Sequence, residues 1–193
     1  MKNSISVVFA TSILVMCIGT AHAVVLEYDS GHYKKEGVNR RGQLIYKDIF
    51  DTQKCSIEVL PIIDRRTNKL TIGAKSYHPL LSEDIDGWLD GLRADFIKAG
   101  AEKDAGRDHF FQVQLYLMKL YSSVHSLNIT GTIALKAEYI IDGKIVKVER
   151  HRGYAAKTNW ANGDSEYVTA VNNAAHNAVT DIAMSMNEFC NNL

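Results

Sequence analysis

The chain has 193 residues, with 22 basic and 22 acidic side chains giving a formal net charge of zero, and 46% of it is hydrophobic. That length suits one good core and falls short of two comfortable domains. Balanced, scattered charge argues against a nucleic-acid binder, and no internal repeat or low-complexity tract is present.

Residues 1–23 read as an export signal. Lys2 is a short basic start, Ile5 to Ile18 an apolar run, and Ala21-His22-Ala23 a small-x-small cleavage site. The run is shorter than the roughly 20 residues a membrane span needs, and no later segment qualifies. Bulky Met16 before Cys17 disfavours lipid attachment there. Cleavage after Ala23 and a periplasmic or secreted chain is therefore expected ahead of anchoring at Cys17. Cys55 and Cys190 remain, in a compartment that favours disulfides.

Residues 24–54 carry scattered glycines, basic pairs and isolated aromatics, the pattern of an extended arm, with a short strand expected within Leu44 to Phe50. A single domain is expected over 55–193. Ser56 to Asp64 alternates as a strand with Ile57, Val59 and Ile63 on one face, and Pro61 marks an edge or bulge. A basic loop through Arg65, Arg66, Lys69, Lys75 and His78 follows, with a short extended piece at Leu70–Ile72. Ser82 is the expected cap of a helix whose apolar stripe is Ile85, Trp88, Leu89, Leu92 and Phe96. Gly100 ends it, and 102–108 is a polar linker.

Phe111, Val113, Leu115 and Leu117 alternate with polar residues in the next strand, which turns at Ser122–Ser126. Leu127–Arg152 is then a β-hairpin on Asp142-Gly143, a dipeptide suited to a type I′ turn. Pairing Ile141 with Lys144 predicts Glu138 opposite Lys147 and Lys136 opposite Glu149 on the wet face. The same register sets Tyr139 against Val146 and Ala137 against Val148 on the apolar face. The last strand runs to about Tyr154, and a loop carrying Trp160 follows. Asp164 or Ser165 caps a final helix with Val168, Val171, Ala175, Ala178, Ile182, Met186 and Phe189 in its stripe. The expected fold is an α/β two-layer sandwich, a mixed sheet in β-α-β-β-β-α order with both helices on one face, preceded by an N-terminal arm.

Ile62, Asp64 and Arg66 at a strand end, Ile72-Gly73 in the following loop, the meander, and the Lys147 to Ala155 strand end before an alanine-rich helix form a pattern. Over Ser56 to Phe189 this resembles the YajG-type lipoproteins of the Gram-negative envelope. More distantly it is similar to auxiliary lipoproteins of ABC-type lipid transport systems. The chain departs from them in lacking a small residue before Cys17 and in keeping two further cysteines. The resemblance implies a non-enzymatic envelope component.

Catalytic and cofactor motifs are missing: there is no GxSxG, GxGxxG, Gly-rich phosphate loop or CxxC. The histidines at 32, 78, 109, 125, 151 and 176 lack HxxxH or HxH spacing, so they read as single surface residues rather than metal ligands. No cofactor is expected. Asp84, Asp86 and Asp90 read as a solvated helix face. Strand alternation gathers the basic loop, both helix N-termini and the Trp160 loop at one end of the sheet. Arg65, Arg66, Lys69, Lys75 and Trp160 are therefore candidate anion-binding residues. The same alternation brings Cys55 and Cys190 to the opposite end, where a disulfide is expected.

These features favour an exported, non-enzymatic accessory or binding protein of envelope assembly or lipid transport, with an envelope protein or an anionic envelope ligand as partner. The alternative is an enzyme acting on an envelope polymer with an acid-base group near Asp64.

Overall fold

The computed structural model describes residues 22–29, 37–38, 44–45, 55–98, 101 and 109–193. The expected leader up to residue 21, Cys17, most of the arm, Gly100 and the 102–108 linker lie outside the described residues. Strands β1 (His22–Val25), β2 (Gly37–Val38), β3 (Leu44–Ile45), β4 (Cys55–Val59), β5 (Ile63–Asp64), β6 (Thr71–Lys75) and β7 (His78–Glu83) precede helix α1 (Ile85–Lys98). Then come β8 (His109–His125), β9 (Asn128–Ile141), β10 (Lys144–Thr158) and helix α2 (Asp164–Asn191). Strands β2 and β3 pair with each other as a separate two-stranded sheet among the described residues.

The remaining eight strands form one open mixed sheet in the order β1-β7-β6-β8-β9-β10. Strand β9 covers one edge of β8 along its length, and the other edge is taken in turn by β4, β5 and β6, all parallel to it. Pro61, which has no N–H to donate, sits in the gap between β4 and β5. The helices share the face on which Ile57, Phe111, Val113, Leu115, Ile133, Leu135 and Tyr139 are buried. The two-layer α/β architecture expected from sequence is therefore present.

Three local expectations are corrected. The basic loop between 65 and 81 is largely a hairpin, β6 to β7, turned through Ser76 and Tyr77 at positive φ. Because β7 carries the chain back down the sheet, α1 starts well below the top end rather than at it. Its cap is Asp84, which accepts a hydrogen bond from the Gly87 N–H at 3.0 Å, while Ser82 belongs to β7.

The third correction is a register change. Ile141 does pair with Lys144, but the ladder shifts between Ile145 and Lys147. Lys147 lies opposite Tyr139, Val148 opposite Glu138, and Arg150 opposite Lys136. One extra residue reverses every later side chain. Glu149, His151 and Gly153 consequently face the helices, and Val148, Arg150 and Arg152 face outward.

The start of the arm joins the fold. Strand β1 pairs with β7 and begins at His22, two residues before the expected cleavage point; Val24 and Val25 lie opposite Ser82 and Glu83. Tyr28 meets the rings of Trp88 and His176 edge-on, each with centroids at 5.6 Å. Trp88 Nε1 donates to Asn172 Oδ1 at 2.8 Å, and Asn172 Nδ2 donates to the Glu27 carbonyl at 2.8 Å. A buried indole N–H and a buried amide thus satisfy each other while tying α1, α2 and the arm together.

Two glycines set the sheet-to-helix distance. A Cβ on Gly131 would lie 2.0 Å from the Ala170 carbonyl oxygen, and one on Gly153 would lie 1.7 Å from that of Ala174. Gly143 differs: its φ is +73° and the space around it is open. Gly153→Ala is therefore expected to lower stability by about 2–3 kcal/mol through overpacking. Gly143→Ala should cost about 1 kcal/mol through conformation alone. Chemical denaturation of the two variants checks that order; equal losses would contradict the close approach of α2.

The Cys55–Cys190 disulfide joins the start of β4 to the last turn of α2, with Cα atoms 5.9 Å apart across 135 residues of sequence. In the chain-entropy picture, closing a loop of that size stabilises by roughly 4–5 kcal/mol. Intact-mass measurement after alkylation of denatured protein should find both cysteines blocked unless reductant is added first, and reduction should lower the melting temperature.

Candidate functional site

The five side chains expected to bind an anion do not form one site. Arg66 is buried and holds Asp64 through its Nε and Nη2, at 3.1 and 3.0 Å, while donating to the Thr71 and Lys69 carbonyls. It is the pin that fixes the crossing from β5 to β6. Lys75 is paired with Asp164 at 2.6 Å. Arg65 turns to the other face of the sheet, its guanidinium 5.9 Å from the centre of the Tyr116 ring. Lys69 is exposed, and Trp160 stands 84% exposed on its loop.

The N-terminus of α2 is occupied from within the chain. The Glu166 carboxylate accepts from the N–H groups of Trp160, Ala161 and Gly163 at 3.1–3.2 Å. Burial raises the pKa of this carboxyl, but those three donors outweigh it and hold Glu166 below the ordinary glutamate value. A hollow of ≈ 700 Å³ beside the start of α2 is lined by Glu27, Asp29 and Asp164 among others, which disfavours an anion there.

Asp64, the acid-base candidate, is held ionised. Burial pushes its pKa up, yet the hydrogen bonds and charge of Arg66 lower it below the ordinary aspartate value of 3.8. The stability this pair contributes is full above the unfolded pKa and is lost as pH falls through the lower folded one. Asp64→Asn leaves a buried guanidinium uncompensated and is expected to cost about 3–5 kcal/mol at neutral pH. Titrated unfolding should show the variant losing less stability than wild type on acidification below about pH 4.

Sequence reasoning placed the histidines on the surface, but His151 and His176 are buried. His151 Nδ1 lies 2.7 Å from Asp181 Oδ2, and its Nε2 lies 3.6 Å from Glu149 Oε2. Glu149 also accepts from Ser185 Oγ, from Tyr139 OH at 3.1 Å and from Lys147 Nζ at 2.9 Å. Burial pushes the Tyr139 hydroxyl well above its ordinary pKa. Burial raises Glu149 as well, but Ser185, Lys147 and Tyr139 bring it below the usual value. These groups clasp β10 to α2, beside a hollow of ≈ 490 Å³, while His151 Nε2 makes no hydrogen bond among the described residues. The signal for them was the spacing of Asp181 and Ser185, four apart beside the alanine stripe of α2, which places polar groups over an edge strand. No cluster of three or more ligating side chains suited to a metal ion occurs among the described residues.

The face of the sheet away from the helices carries a chemically distinctive pattern. One row across the strands reads Ile63, Tyr116, Lys136 and Arg150, each opposite the next. The next row toward the top reads Lys119, Ala134 and Arg152, and the one after it Tyr121, Thr132 and Tyr154. Tyr116 has the Arg65 guanidinium at 5.9 Å and the Lys136 ammonium at 5.2 Å from its ring centre. The Lys136 ammonium, 2.5 Å away, keeps Glu138 below the ordinary glutamate value. At the hairpin corner of the same face, Ile145 is 55% and Val148 52% exposed. Sequence reading missed this surface because the expected register buried Val146 and Val148.

No family model matches the chain, and no curated protein matches it. Among solved structures, a Xanthomonas campestris protein of the DUF330 family is similar to it at a TM-score of 0.53 and 12% identity, covering 86% of this chain and 94% of the other. That likeness is one of fold. A candidate lipoprotein from Caulobacter crescentus aligns over 63% of this chain and 91% of its own at 10% identity and a TM-score of 0.43. A Neisseria meningitidis lipoprotein aligns over 67% and 99% at 14% identity and 0.29. No helix among the described residues is long and apolar enough to cross a membrane.

Proposed function

We propose that this chain is an exported, non-enzymatic accessory protein of the cell envelope that works by binding, through the open face of its sheet. The observation carrying this is the face itself: rows of cations and tyrosines, among them exposed Lys119, Arg150, Arg152, Tyr121 and Tyr154, beside an exposed apolar corner. Exposed apolar side chains grouped with a common charge mark interaction surfaces. The leader-like start at residues 1–23 supports export, and the disulfide fits an oxidising compartment.

The acid-base alternative is weaker. A general acid or base needs a carboxyl that can exchange a proton near the working pH. Asp64 is instead committed to Arg66, and the Glu149 group is committed to its neighbours.

Site-specific crosslinking in intact cells tests the reading. A photoactivatable residue at Tyr154, on the open face, should give adducts in the envelope fraction. One at Asp90, exposed on α1, should give few. Recovery of the chain from the cytoplasm, or equal yields at the two positions, would reject the proposal.

A further inference from the structure

We infer that the open face docks on an anionic phospholipid bilayer, the hairpin corner entering the interface and the cationic rows lying at the phosphates. This deepens the binding role proposed above and rests on it. Arg150 lies directly opposite Lys136, and Arg152 follows two residues later on the same face. Like charges paired across strands destabilise a sheet; the Glu138 carboxylate, 2.5 Å from the Lys136 ammonium, offsets Lys136, whereas Arg150 and Arg152 have no ion pair among the described residues. The carboxylates of this face do not pair with those two arginines. Glu58 accepts from Gln112 at 2.6 Å, and Glu138, shared by Tyr116 and Lys136, lies one row away from Arg150.

The arrangement along the strands selects the occupant. Ile145 and Val148 are half-exposed at the hairpin corner, and Arg150, the first cation of β10 on this face, follows two residues after Val148; Lys144 and Lys147, earlier in the strand, take register positions of the opposite face. Two residues of strand span about 7 Å. Interfacial elements sit about 5–10 Å into the boundary between headgroups and acyl chains. The apolar corner would thus reach the acyl boundary while Arg150, Arg152 and Lys136 stay level with phosphate oxygens. A second copy of the chain fits badly, because its matching face would set cations against cations. An acidic protein would answer the cations but not this ordering of apolar corner and charge.

Co-sedimentation of the purified, disulfide-bonded chain with vesicles tests the inference. Vesicles containing phosphatidylglycerol should retain the protein at low salt, and pure phosphatidylcholine vesicles should not. Salt approaching about 1 M, where screening acts within about 3 Å, should release it. Arg150→Glu with Arg152→Glu should weaken retention about tenfold or more. Val148→Ser with Ile145→Ser should weaken it while keeping the salt dependence. All four side chains are exposed, so thermal melting should stay near wild type and verify folding. Retention independent of lipid charge, none on either vesicle, or unchanged retention by the arginine variant would each overturn bilayer docking. If crosslinks at Tyr154 then lead to a protein, the accessory role stands and its partner is an acidic protein surface instead.

Discussion

Helix α2 lies on this sheet at a distance that only two glycines permit. Any side chain at Gly131 or Gly153 would intrude on the carbonyls of Ala170 and Ala174. The helix answers with Ala170, Ala174, Ala175, Ala178 and Ala183 buried along its contact stripe. Small residues on both partners let backbone approach backbone, and the 28-residue helix is thereby aligned along β9 and β10. Its direction is then fixed over its whole length. Its N-terminal end meets the β6–β7 hairpin through Lys75 and Asp164, and its C-terminal end presents Cys190 to Cys55. The disulfide follows from this alignment rather than producing it.

The extra residue in β10 decides how the edge of the sheet is used. Without it, Val148 would face α2 while Glu149 and His151 faced water. With it, an edge strand directs two ionisable groups toward a helix, an arrangement that costs desolvation unless each is paired. Asp181, Ser185, Tyr139 and Lys147 supply the pairing. The clasp lies at the margin of the core, where Asp181 and Lys147 keep partial contact with solvent, so its charges avoid the full cost of a dry interior. The same reversal sends Val148, Arg150 and Arg152 outward. One local irregularity therefore generates both the polar clasp behind the strand and the charged surface in front of it.

Much of this architecture was legible from residue periodicity. The alternation in Phe111 to Leu117 and in Ile129 to Tyr139 places the buried residues of β8 and β9 correctly, because both strands lie inside the sheet with one face on the core. The stripe from Trp88 to Phe96 and the alanines of α2 identify the buried faces of both helices. Strand direction alone brought Cys55 toward Cys190. The bulge was not legible, because Ile145, Val146 and Val148 offer apolar residues to either face and the charged pairs of the unbulged register looked equally sound. The β6–β7 hairpin was missed because its turn uses Ser76 and Tyr77, neither of which announces positive φ as Gly or Asn does. That omission shifted the start of α1 and gathered Arg66 and Lys75 into a site, whereas each has a carboxylate partner of its own.

The separation of tasks across the sheet bears on how such a protein can bind. On the helix side, three buried polar groups that anchor the fold are each matched to a partner at fixed distance: Arg66 to Asp64, His151 Nδ1 to Asp181, Trp88 to Asn172. Altering any of these exposes a buried donor or charge and endangers the fold. On the open side, Arg150, Arg152 and Val148 share the same β10 backbone but contribute little to the core, being exposed. A sheet held rigidly from behind presents its front residues in fixed rows, so their order along the strands becomes a property of the surface rather than of mobile loops. The chain thus offers a charge pattern at defined spacing, and that pattern can vary without loss of the scaffold that displays it.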